Sequence, residues 1–326
     1  KTRTLVHRVA ALIERGVAAE RILLLTFTRR AAEEMLSRVE RLTGQQGRRV
    51  PGGTFHATAH QTLRQFGQHA GIGEGFTILD QADSEDLMQL SRAALGLGAR
   101  ERRFAKKETL QALYSRHINT DRTVEALLRD GYPQYVGDLS DIARVFAEYV
   151  QRKAARNLVD YDDLLLFWAA MLESDVLGDR IRAKYDHLLV DEYQDTNVLQ
   201  SRIVRGLAAT HRNVTVVGDD AQSIYAFRGA TVRNILDFPD QFPGTTIITL
   251  DRNYRSTQPI LDTANAVLAQ ATEGFRKQLR SIDDRPGELP WLIPARDEQA
   301  QTTFTCDRLL ELVETDNLRL DQIAVL

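Results

Sequence analysis

Four short apolar segments constrain the fold of this chain more than any other feature of its sequence. They cover residues 22–27, 187–190, 214–217 and 246–250, and each is followed by a segment with helical periodicity. Strands that are apolar along their whole length are typical of a parallel sheet that is covered by helices on both faces. The sequence therefore predicts an α/β fold built on a parallel sheet.

Helical periodicity is clearest on either side of the first predicted strand. A helix is predicted over residues 29–42, and another before residue 14, because apolar side chains recur there at intervals of three and four. These positions are Leu5, Val9, Leu12, Ile13, Ala32, Met35, Leu36, Val39 and Leu42.

The order of predicted strands and helices divides the chain into four parts. Between residues 79 and 185 we find helical patterns, such as residues 84–95 and 142–155, and no strand. Because apolar strands resume after this segment, we expect a helical insertion within the sheet-forming part. The predicted boundaries are 1–78 for the first part, 79–185 for the insertion, 186–250 for the continuation of the sheet, and 251–326 for a further unit.

The composition excludes several classes of protein. No segment approaches the run of about 20 apolar residues that a membrane-spanning helix requires. The single cysteine, Cys306, excludes an internal disulfide framework and a cysteine-ligated zinc site, and it fits a reducing compartment. We therefore expect a cytoplasmic protein without a membrane segment.

The net charge of −3 gives no overall electrostatic support for nucleic-acid binding. One stretch, residues 92–116, differs from the rest because basic side chains greatly outnumber acidic ones there. Its cations are Arg92, Arg100, Arg102, Arg103, Lys106, Lys107 and Arg116. Two interpretations remain open, a solvated helical face or a surface that contacts the phosphates of duplex DNA.

The segment LLVDEYQDTN, residues 188–197, places carboxylates directly after an apolar strand. Ligands of parallel α/β sheets bind at the carboxyl ends of the strands. Asp191 and Glu192 match the Walker B arrangement, in which the aspartate helps to hold Mg²⁺ and the glutamate orients or deprotonates the attacking water. The alternative is a capping role for these acids, and for Asp195, at the helix predicted over residues 196–207.

Lys1 and Thr2 stand at the start of the first amphipathic helix. A phosphate-binding loop ends in this way, with the lysine on the β and γ phosphates and the threonine hydroxyl on Mg²⁺. The glycines that usually precede such a pair are not in the sequence. We therefore expect residues 1–326 on their own to hydrolyse ATP poorly.

Four further segments resemble motifs of one enzyme family. They are LLLTFTRRAAEEM (23–35), GTFHATAH (53–60), VVGDDAQSIYAFRGA (216–230) and LDRNYRST (250–257). These resemble motifs Ia, Ib, III and IV of the UvrD/Rep/PcrA family, the superfamily 1A DNA helicases, with DEYQD in the position of motif II and Lys-Thr at the end of motif I. The resemblance implies two RecA-like folds with ATP and Mg²⁺ bound between them, the first interrupted by a helical subdomain. Motifs V and VI are not in the sequence, so we expect a chain that stops before them.

The resemblance also implies a role for each matching residue around the phosphates. Lys1 would bind the phosphates, and Thr2 and Asp191 would bind Mg²⁺. Glu192 would be the catalytic base, and Gln222 would contact the γ-phosphate beside the attacking water.

Four other positions match the nucleotide-binding residues of the family. Arg255 would stabilise the transferring phosphoryl group as an arginine finger, and Tyr254 would stack on the adenine. Arg3 and Arg38 match positions near the nucleotide.

A track for single-stranded DNA is implied by the same resemblance. Its residues would be Phe27, Thr28, Thr54, His56, Tyr225, Phe227 and Arg228. Aromatic rings on loops allow bases of any identity to stack, which suits a motor that does not read sequence. Phe227 stands where many members of the family have tryptophan. The alternative for the rings and for His56 is packing in the core.

The predicted function is an ATP-dependent DNA helicase or translocase that acts on single-stranded DNA and duplex junctions in repair or replication. The resemblance implies movement in the 3′ to 5′ direction. One alternative is the helicase portion of a RecB/AddA-type helicase-nuclease, and another is a DNA-binding or partner-docking module without turnover. No metal other than Mg²⁺ is expected, because the seven histidines are scattered along the chain.

Overall fold

The computed structural model describes residues 1–97, 104–282 and 286–326, and it divides the chain into two compact units. The first unit is Lys1–Ile248 with Glu273–Phe275, and the second is Thr249–Thr272 with Arg276–Leu326. The helices of the first unit are α1 (Thr2–Glu14), α2 (Arg29–Thr43), α3 (Phe55–Phe66), α4 (Gln81–Ala94), α5 (Lys107–Thr120), α6 (Val124–Gly131), α7 (Leu139–Ala155), α8 (Tyr161–Glu173), α9 (Asp175–Arg182), α10 (Val198–Ala208), α11 (Arg233–Leu236) and α12 (Phe238–Gln241). Its strands are β1 (Ile22–Thr26), β2 (Gly52–Thr54), β3 (Thr77–Ile78), β4 (Leu158–Val159), β5 (His187–Val190) and β6 (Val214–Val216).

The central sheet of the first unit has four strands in the order β2-β1-β5-β6, and every neighbouring pair is parallel. Side chains of β1 alternate between two apolar cores, with Leu23 and Leu25 on one face and Ile22 and Leu24 on the other. Both faces of the strand are therefore buried, which explains why its sequence is apolar without a break. The predicted α/β fold with a parallel sheet is confirmed.

Helices cover the two faces of this sheet in two separate groups. On one face α1 and α2 form a core with β1 and β5, and Met35 and Val39 are buried there. The other face is covered by α3, α8, α9 and α10, and Trp168 of α8 is buried in that core. The sheet is thus held between helices, and the carboxyl ends of its strands remain at one edge for the loops.

The helices α4 to α7 have a hydrophobic core of their own, which extends from Leu79 to Tyr149. The next two helices, α8 and α9, pack on the core of the sheet instead. The helical segment predicted over residues 79–185 therefore contains two groups of helices that bury their apolar faces in different places. The domain boundaries themselves stay predictions.

Several elements predicted from periodicity are present. The helices predicted over residues 29–42, 84–95 and 142–155 correspond to α2, α4 and α7. The absence of a strand between residues 79 and 185 was a wrong expectation, because β4 pairs in parallel with β3. Such a short pair lies below the length at which periodicity can be recognised.

The strand predicted over residues 246–250 is also wrong. These residues have no regular structure, and Ile248 is 78% exposed. A strand requires backbone hydrogen bonds from a neighbour, and no other segment within the described ranges supplies them to residues 246–250. An apolar sequence alone therefore gave a false signal. The sheet instead contains β2. This strand was not predicted, because two of its three residues are glycines and carry no apolar side chain.

The second unit contains the strands β7 (Arg252–Asn253) and β8 (Arg280–Ser281), which pair in parallel, and the helices α13 (Gln258–Leu268) and α14 (Glu298–Glu314). The side chain of Asn265 in α13 exchanges two hydrogen bonds with the backbone of Leu279, just before β8. No helix among the described residues of the chain is long and apolar enough to cross a membrane.

Candidate functional site

The candidate site lies at the carboxyl edge of the central sheet. Asp191 and Glu192 directly follow β5, and the backbone N–H of Asp191 donates to the carbonyl of Leu25 in β1 at 2.9 Å. The helix α1 begins at Thr2, directly after Lys1. Its first backbone N–H groups and the positive end of its dipole therefore lie next to Lys1.

Five residues that were predicted to surround the phosphates contact one another in the structure. The ammonium group of Lys1 donates to Oε2 of Glu192 at 2.7 Å and to Oε1 of Gln222 at 3.0 Å. The hydroxyl of Thr2 donates to Oδ2 of Asp191 at 2.9 Å. Three segments that are far apart in the sequence therefore form one polar cluster, and the roles of its members stay predictions.

The carboxylate of Asp191 has a free coordinating position. Its Oδ1 atom is buried and has no hydrogen-bond partner in the part of the chain that the structure describes. Burial raises the pKa of Asp191, and the hydrogen bond from Thr2 acts in the opposite direction. A buried carboxylate oxygen beside a hydroxyl group matches the hard oxygen ligands that Mg²⁺ prefers.

The protein alone does not build a complete metal cage at this position. Within the described ranges there is no group of three or more His, Cys, Asp or Glu side chains arranged to hold a metal ion. Mg²⁺ usually binds through one or two protein ligands together with water and substrate phosphates. The pair of Thr2 and Asp191 fits that mode of binding.

Glu192 adopts an unusual backbone conformation, with φ at 49° in the left-handed region. For a residue other than glycine this costs about 1–3 kcal/mol, and such strain is concentrated at functional sites. Its carboxylate accepts hydrogen bonds from Lys1 and from Gln194.

The side chain of Asn197 caps the following helix, α10. Asn197 precedes α10, its side chain accepts from the N–H of Gln200 at 2.8 Å, and Oε1 of Gln200 accepts from the N–H of Asn197 at 3.0 Å. This capping box satisfies the first amides of α10. The alternative that Asp191, Glu192 or Asp195 caps the helix is therefore wrong.

The sequence did not predict that Gln194 and Asp195 lie beside Glu192 in this cluster. The buried amide of Gln194 donates to Glu192 at 3.0 Å and to Oδ2 of Asp195 at 3.1 Å. Burial, followed by the charge of Glu192, raises the pKa of Asp195 to about 6. A polar residue in a polar segment gives no signal of burial in a single sequence, so periodicity could not have found Gln194.

Arg3 and Arg38 line one cleft between α1 and α2, with a volume of about 360 Å³. The other lining residues are Val6, His7, Arg41 and Leu42. Arg38 also forms an ion pair with Glu34 of the same helix. The structure thus brings together the two arginines that were expected near the nucleotide, and their role there stays a prediction.

Tyr254 and Arg255 belong to the second unit, directly after β7. Both side chains are exposed, and the backbone N–H of Arg255 donates to Oδ1 of Asn253 at 2.8 Å. Neither side chain is used in the packing of its own unit, and the roles predicted for them stay predictions.

Aromatic side chains form a continuous row beside the phosphate cluster. The ring of Phe27, after β1, lies 5.3 Å from that of Tyr225, which in turn lies 5.9 Å from Phe227. The guanidinium of Arg228 lies over both Tyr225 and Phe227, at 5.4 and 5.6 Å from the ring centroids. Phe227 is 71% exposed, so the alternative of core packing is wrong for this ring.

Three other residues of the predicted DNA track have local structural contacts. The side chains of Thr28 and Thr54 cap α2 and α3 by accepting from the N–H groups of the third residue after each. His56 lies edge-on to the ring of Tyr161 at 6.0 Å, and burial lowers its pKa. These contacts explain the three residue types without DNA, and contact with DNA stays a prediction.

The basic stretch of residues 92–116 is only partly described, because Arg100, Arg102 and Arg103 lie outside the described residues. Two of its other cations have structural partners. Arg92 donates to the carbonyl of Ala105 at 2.9 Å, and Lys107 forms an ion pair with Asp86 at 2.6 Å.

The sequence matches two domain models of one helicase family. Residues 1–243 match the UvrD/REP helicase N-terminal domain, and residues 248–326 match the UvrD-like helicase C-terminal domain. The whole chain is 37% identical over 339 residues to the ATP-dependent DNA helicase UvrD1 of Mycobacterium tuberculosis and 34% identical over 332 residues to the ATP-dependent DNA helicase PcrA of Leuconostoc citreum. It is also 35% identical over 326 residues to the ATP-dependent DNA helicase UvrD2 of Mycobacterium tuberculosis. That alignment covers 96% of the present chain.

The chain spans 43% of the length of UvrD1 and PcrA and 46% of UvrD2. The match to the N-terminal domain model nevertheless includes every strand of the central sheet and the whole polar cluster around Lys1. The chain belongs to the UvrD/REP helicase family.

Proposed function

We propose that this chain is the ATP-binding part of an ATP-dependent DNA helicase that moves on single-stranded DNA. The observation that carries the proposal is the cluster of Lys1, Thr2, Asp191, Glu192 and Gln222 at the carboxyl edge of a parallel sheet. The names of the relatives UvrD1 and PcrA, both ATP-dependent DNA helicases, support it.

The contacts of Lys1 suggest how the site responds to a nucleotide. Its ammonium group now binds Glu192 and Gln222, both of which carry acceptor oxygens. Phosphate oxygens compete for the same donors, because a lysine at the start of a helix is a strong phosphate ligand. When Lys1 turns to the phosphates, the carboxylate of Glu192 becomes available to accept a proton from the attacking water.

Thr2 and Asp191 would hold Mg²⁺ through the hydroxyl and the orphaned carboxylate oxygen. The ion supplies positive charge that neutralises the β and γ phosphates during transfer. A hydrogen bond of 2.9 Å joins the hydroxyl of Thr2 to Oδ2 of Asp191. It keeps the hydroxyl and the carboxylate close together.

The remaining nucleotide contacts belong to the proposal as well. Arg255 would stabilise the transferring phosphoryl group, and Tyr254 would stack on the base. Arg3 and Arg38 would contact the nucleotide from the cleft between α1 and α2. The roles proposed for Tyr254 and Arg255 are supported by the motif LDRNYRST, which contains both residues, and by the exposure of both side chains.

The row of Phe27, Tyr225, Phe227 and Arg228 would bind single-stranded DNA. Stacking of bases on exposed rings contributes roughly 1–3 kcal/mol per base and does not depend on sequence. Thr28, Thr54 and His56 would extend this track. Movement from 3′ to 5′, action at duplex junctions in repair or replication, and a cytoplasmic location are parts of the same proposal.

The test is a conservative change of the proposed base, Glu192→Gln, in the full-length protein. ATP binding should persist, whereas DNA-stimulated hydrolysis should fall by about 100-fold or more, because the amide cannot accept the proton. Glu173→Gln is the matched control, since Glu173 also pairs with a cation, Arg202, but lies on the far end of α8. Turnover of Glu192→Gln within a few fold of the parent would show that the base is assigned wrongly.

A further inference from the structure

The buried amide of Gln194 joins the two loops that carry Glu192 and Gln222. Gln194 is 1% exposed. Its Nε2 donates to Glu192 and Asp195, and its Oε1 accepts from the backbone N–H of Asp219 at 2.9 Å. Asp219 begins the loop that leads to Gln222. One side chain therefore contacts the segment after β5 and the segment after β6.

The same loop also packs closely against Gln194 at Ser223 and at Gly218. The hydroxyl of Ser223 donates to the backbone carbonyl of Gln194 at 3.1 Å. A Cβ atom on Gly218 would lie 2.7 Å from Oε1 of Gln194 and 2.5 Å from Cδ1 of Ile235. A side chain at position 218 would therefore force the amide of Gln194 and the end of Ile235 to shift.

The orientation of the amide follows from its partners. Carboxylates only accept hydrogen bonds and a backbone N–H only donates, so Nε2 must face Glu192 and Asp195 while Oε1 faces Asp219. A reversed amide would place an oxygen against two carboxylates. A buried amide with all three contacts satisfied is held firmly in one orientation.

We infer that Gln194 is a positioning residue for phosphoryl transfer, which holds the Glu192 carboxylate at a fixed place relative to the loop of Gln222. The inference rests on the proposed function. Among the described residues, the carboxylate of Glu192 has two hydrogen-bond donors, Lys1 and Gln194. Because the phosphates compete for Lys1, Gln194 is the donor that remains on Glu192 when the nucleotide is bound.

The variant Gln194→Met keeps the volume of the side chain and removes its three hydrogen bonds. In the full-length protein we expect kcat for ATP to fall by about 100-fold, since a displacement of about 1 Å at a reacting group has this effect. KM should change little, because Gln194 makes no direct hydrogen bond to Lys1, Thr2 or Gln222, the predicted ligands of the phosphates and of Mg²⁺. A double variant, Glu192→Gln with Gln194→Met, should be no slower than Glu192→Gln alone, because both changes remove the same action.

Gln200→Met is the matched control for replacement of a buried glutamine. Gln200 is also buried and bonds the backbone N–H of Asn197, but it has no contact with Glu192. Gln200→Met should lower Tm and leave kcat unchanged. Gly218→Ala provides a second route to the same effect, since it displaces the amide of Gln194 and should lower kcat while position 194 remains glutamine.

The outcomes separate the inference from the proposed function. If Gln194→Met keeps the kcat of the parent while Glu192→Gln abolishes turnover, the positioning role is overturned and the proposed function stands. If Glu192→Gln also keeps its turnover, the assignment of the base fails first. A double variant that is much slower than Glu192→Gln alone overturns the inference as well. Should Gln194→Met fail to fold, the kcat of Gly218→Ala decides, and an unchanged value overturns the role.

Discussion

Replacement of Lys153 by methionine should strongly destabilise the first unit, because this lysine is a buried cation between two buried carboxylates. Its Nζ atom lies 2.6 Å from an oxygen of Asp160 and 2.6 Å from an oxygen of Asp163. Lys153 is 3% exposed, and the ring of Tyr149 lies 4.5 Å from Nζ. The pairs connect α7 with the start of α8, which packs on the central sheet.

The magnitude follows from the two carboxylates that would remain buried without their cation. Removal of one member of a buried ion pair typically costs about 3–5 kcal/mol, because the remaining charge stays buried without compensation. Methionine retains most of the apolar stem of lysine, so the change in packing is small. We therefore expect the free energy of unfolding to fall by about 3–5 kcal/mol at pH 8, within the range for a broken buried pair.

The cost should depend on pH through Asp163. Burial, followed by the charge of Asp160, raises the pKa of Asp163 to about 6 in the folded protein, whereas the charge of Lys153 lowers it. Because this pKa lies above the ordinary value of 3.8, the folded state binds the proton more tightly, and stability falls as pH rises between these two values. Without Lys153 the pKa rises further, so the cost of Lys153→Met should be smaller at pH 5 than at pH 8.

Urea unfolding monitored by tryptophan fluorescence measures this cost. The chain has two tryptophans, and Trp291→Phe leaves Trp168, buried in α8, as the reporter of the first unit. Arg152→Met is the matched control, because Arg152 precedes Lys153 and forms a partly exposed pair with Glu148 at 2.6 Å within the same helix; exposed pairs at this spacing contribute about 0.3–0.5 kcal/mol. A cost for Lys153→Met no larger than that of the control, or the same cost at pH 5 and pH 8, would refute the reasoning.

Three further predictions concern the DNA track, the helix cap and the basic stretch. Phe227→Ala should weaken single-stranded DNA binding by roughly 1–3 kcal/mol in fluorescence anisotropy, whereas Phe227→Trp should preserve it; unchanged binding by Phe227→Ala would remove this ring from the DNA track. Asn197→Ala should lower the free energy of unfolding in urea by about 1–2 kcal/mol, because the cap of α10 and the bond to Asn119 at 2.7 Å are both lost; a cost no larger than that of Arg152→Met would contradict this. Neutralising Lys106 and Lys107 should reduce the slope of duplex-junction affinity against salt concentration, on logarithmic axes, by about 0.9 for each phosphate that these lysines neutralise, and an unchanged slope would indicate a solvated face.

The sheet could be predicted best from sequence where its strands are buried on both faces. The residues of β1 and β5 alternate between two helical layers and are therefore apolar, whereas β6 is a half-buried edge strand. The segment 246–250 has the same composition but no neighbour to supply hydrogen bonds, and β2 has a neighbour but two glycines. Strand formation depends on this partner backbone, which a single sequence does not show.

The site divides in the same way. Two acids after an apolar strand are common, so Asp191 and Glu192 could be assigned only together with the further motifs of the chain. Lys1 with Thr2 became informative only beside that pair. Gln194 and Asn197 could not be found, because their importance comes from contacts with residues such as Asp219 and Asn119 that are distant in the sequence. Buried polar networks depend on tertiary structure, so local pattern carries little information about them.

The loop after β6 carries Gln222, for which a phosphate contact is proposed, and two rings of the aromatic row within one short motif. Gln222 bonds Lys1, and Tyr225, only three residues later, packs against Phe27 at the end of β1. The loop is anchored to Gln194 through Asp219 and Ser223, and Ala230 pairs with Asn197 before α10. Between these anchors the chain carries Tyr225, Phe227 and Arg228. A change in the contact between Lys1 and Gln222 is therefore expected to act on the segment that carries the rings, because this segment lies between the two anchors.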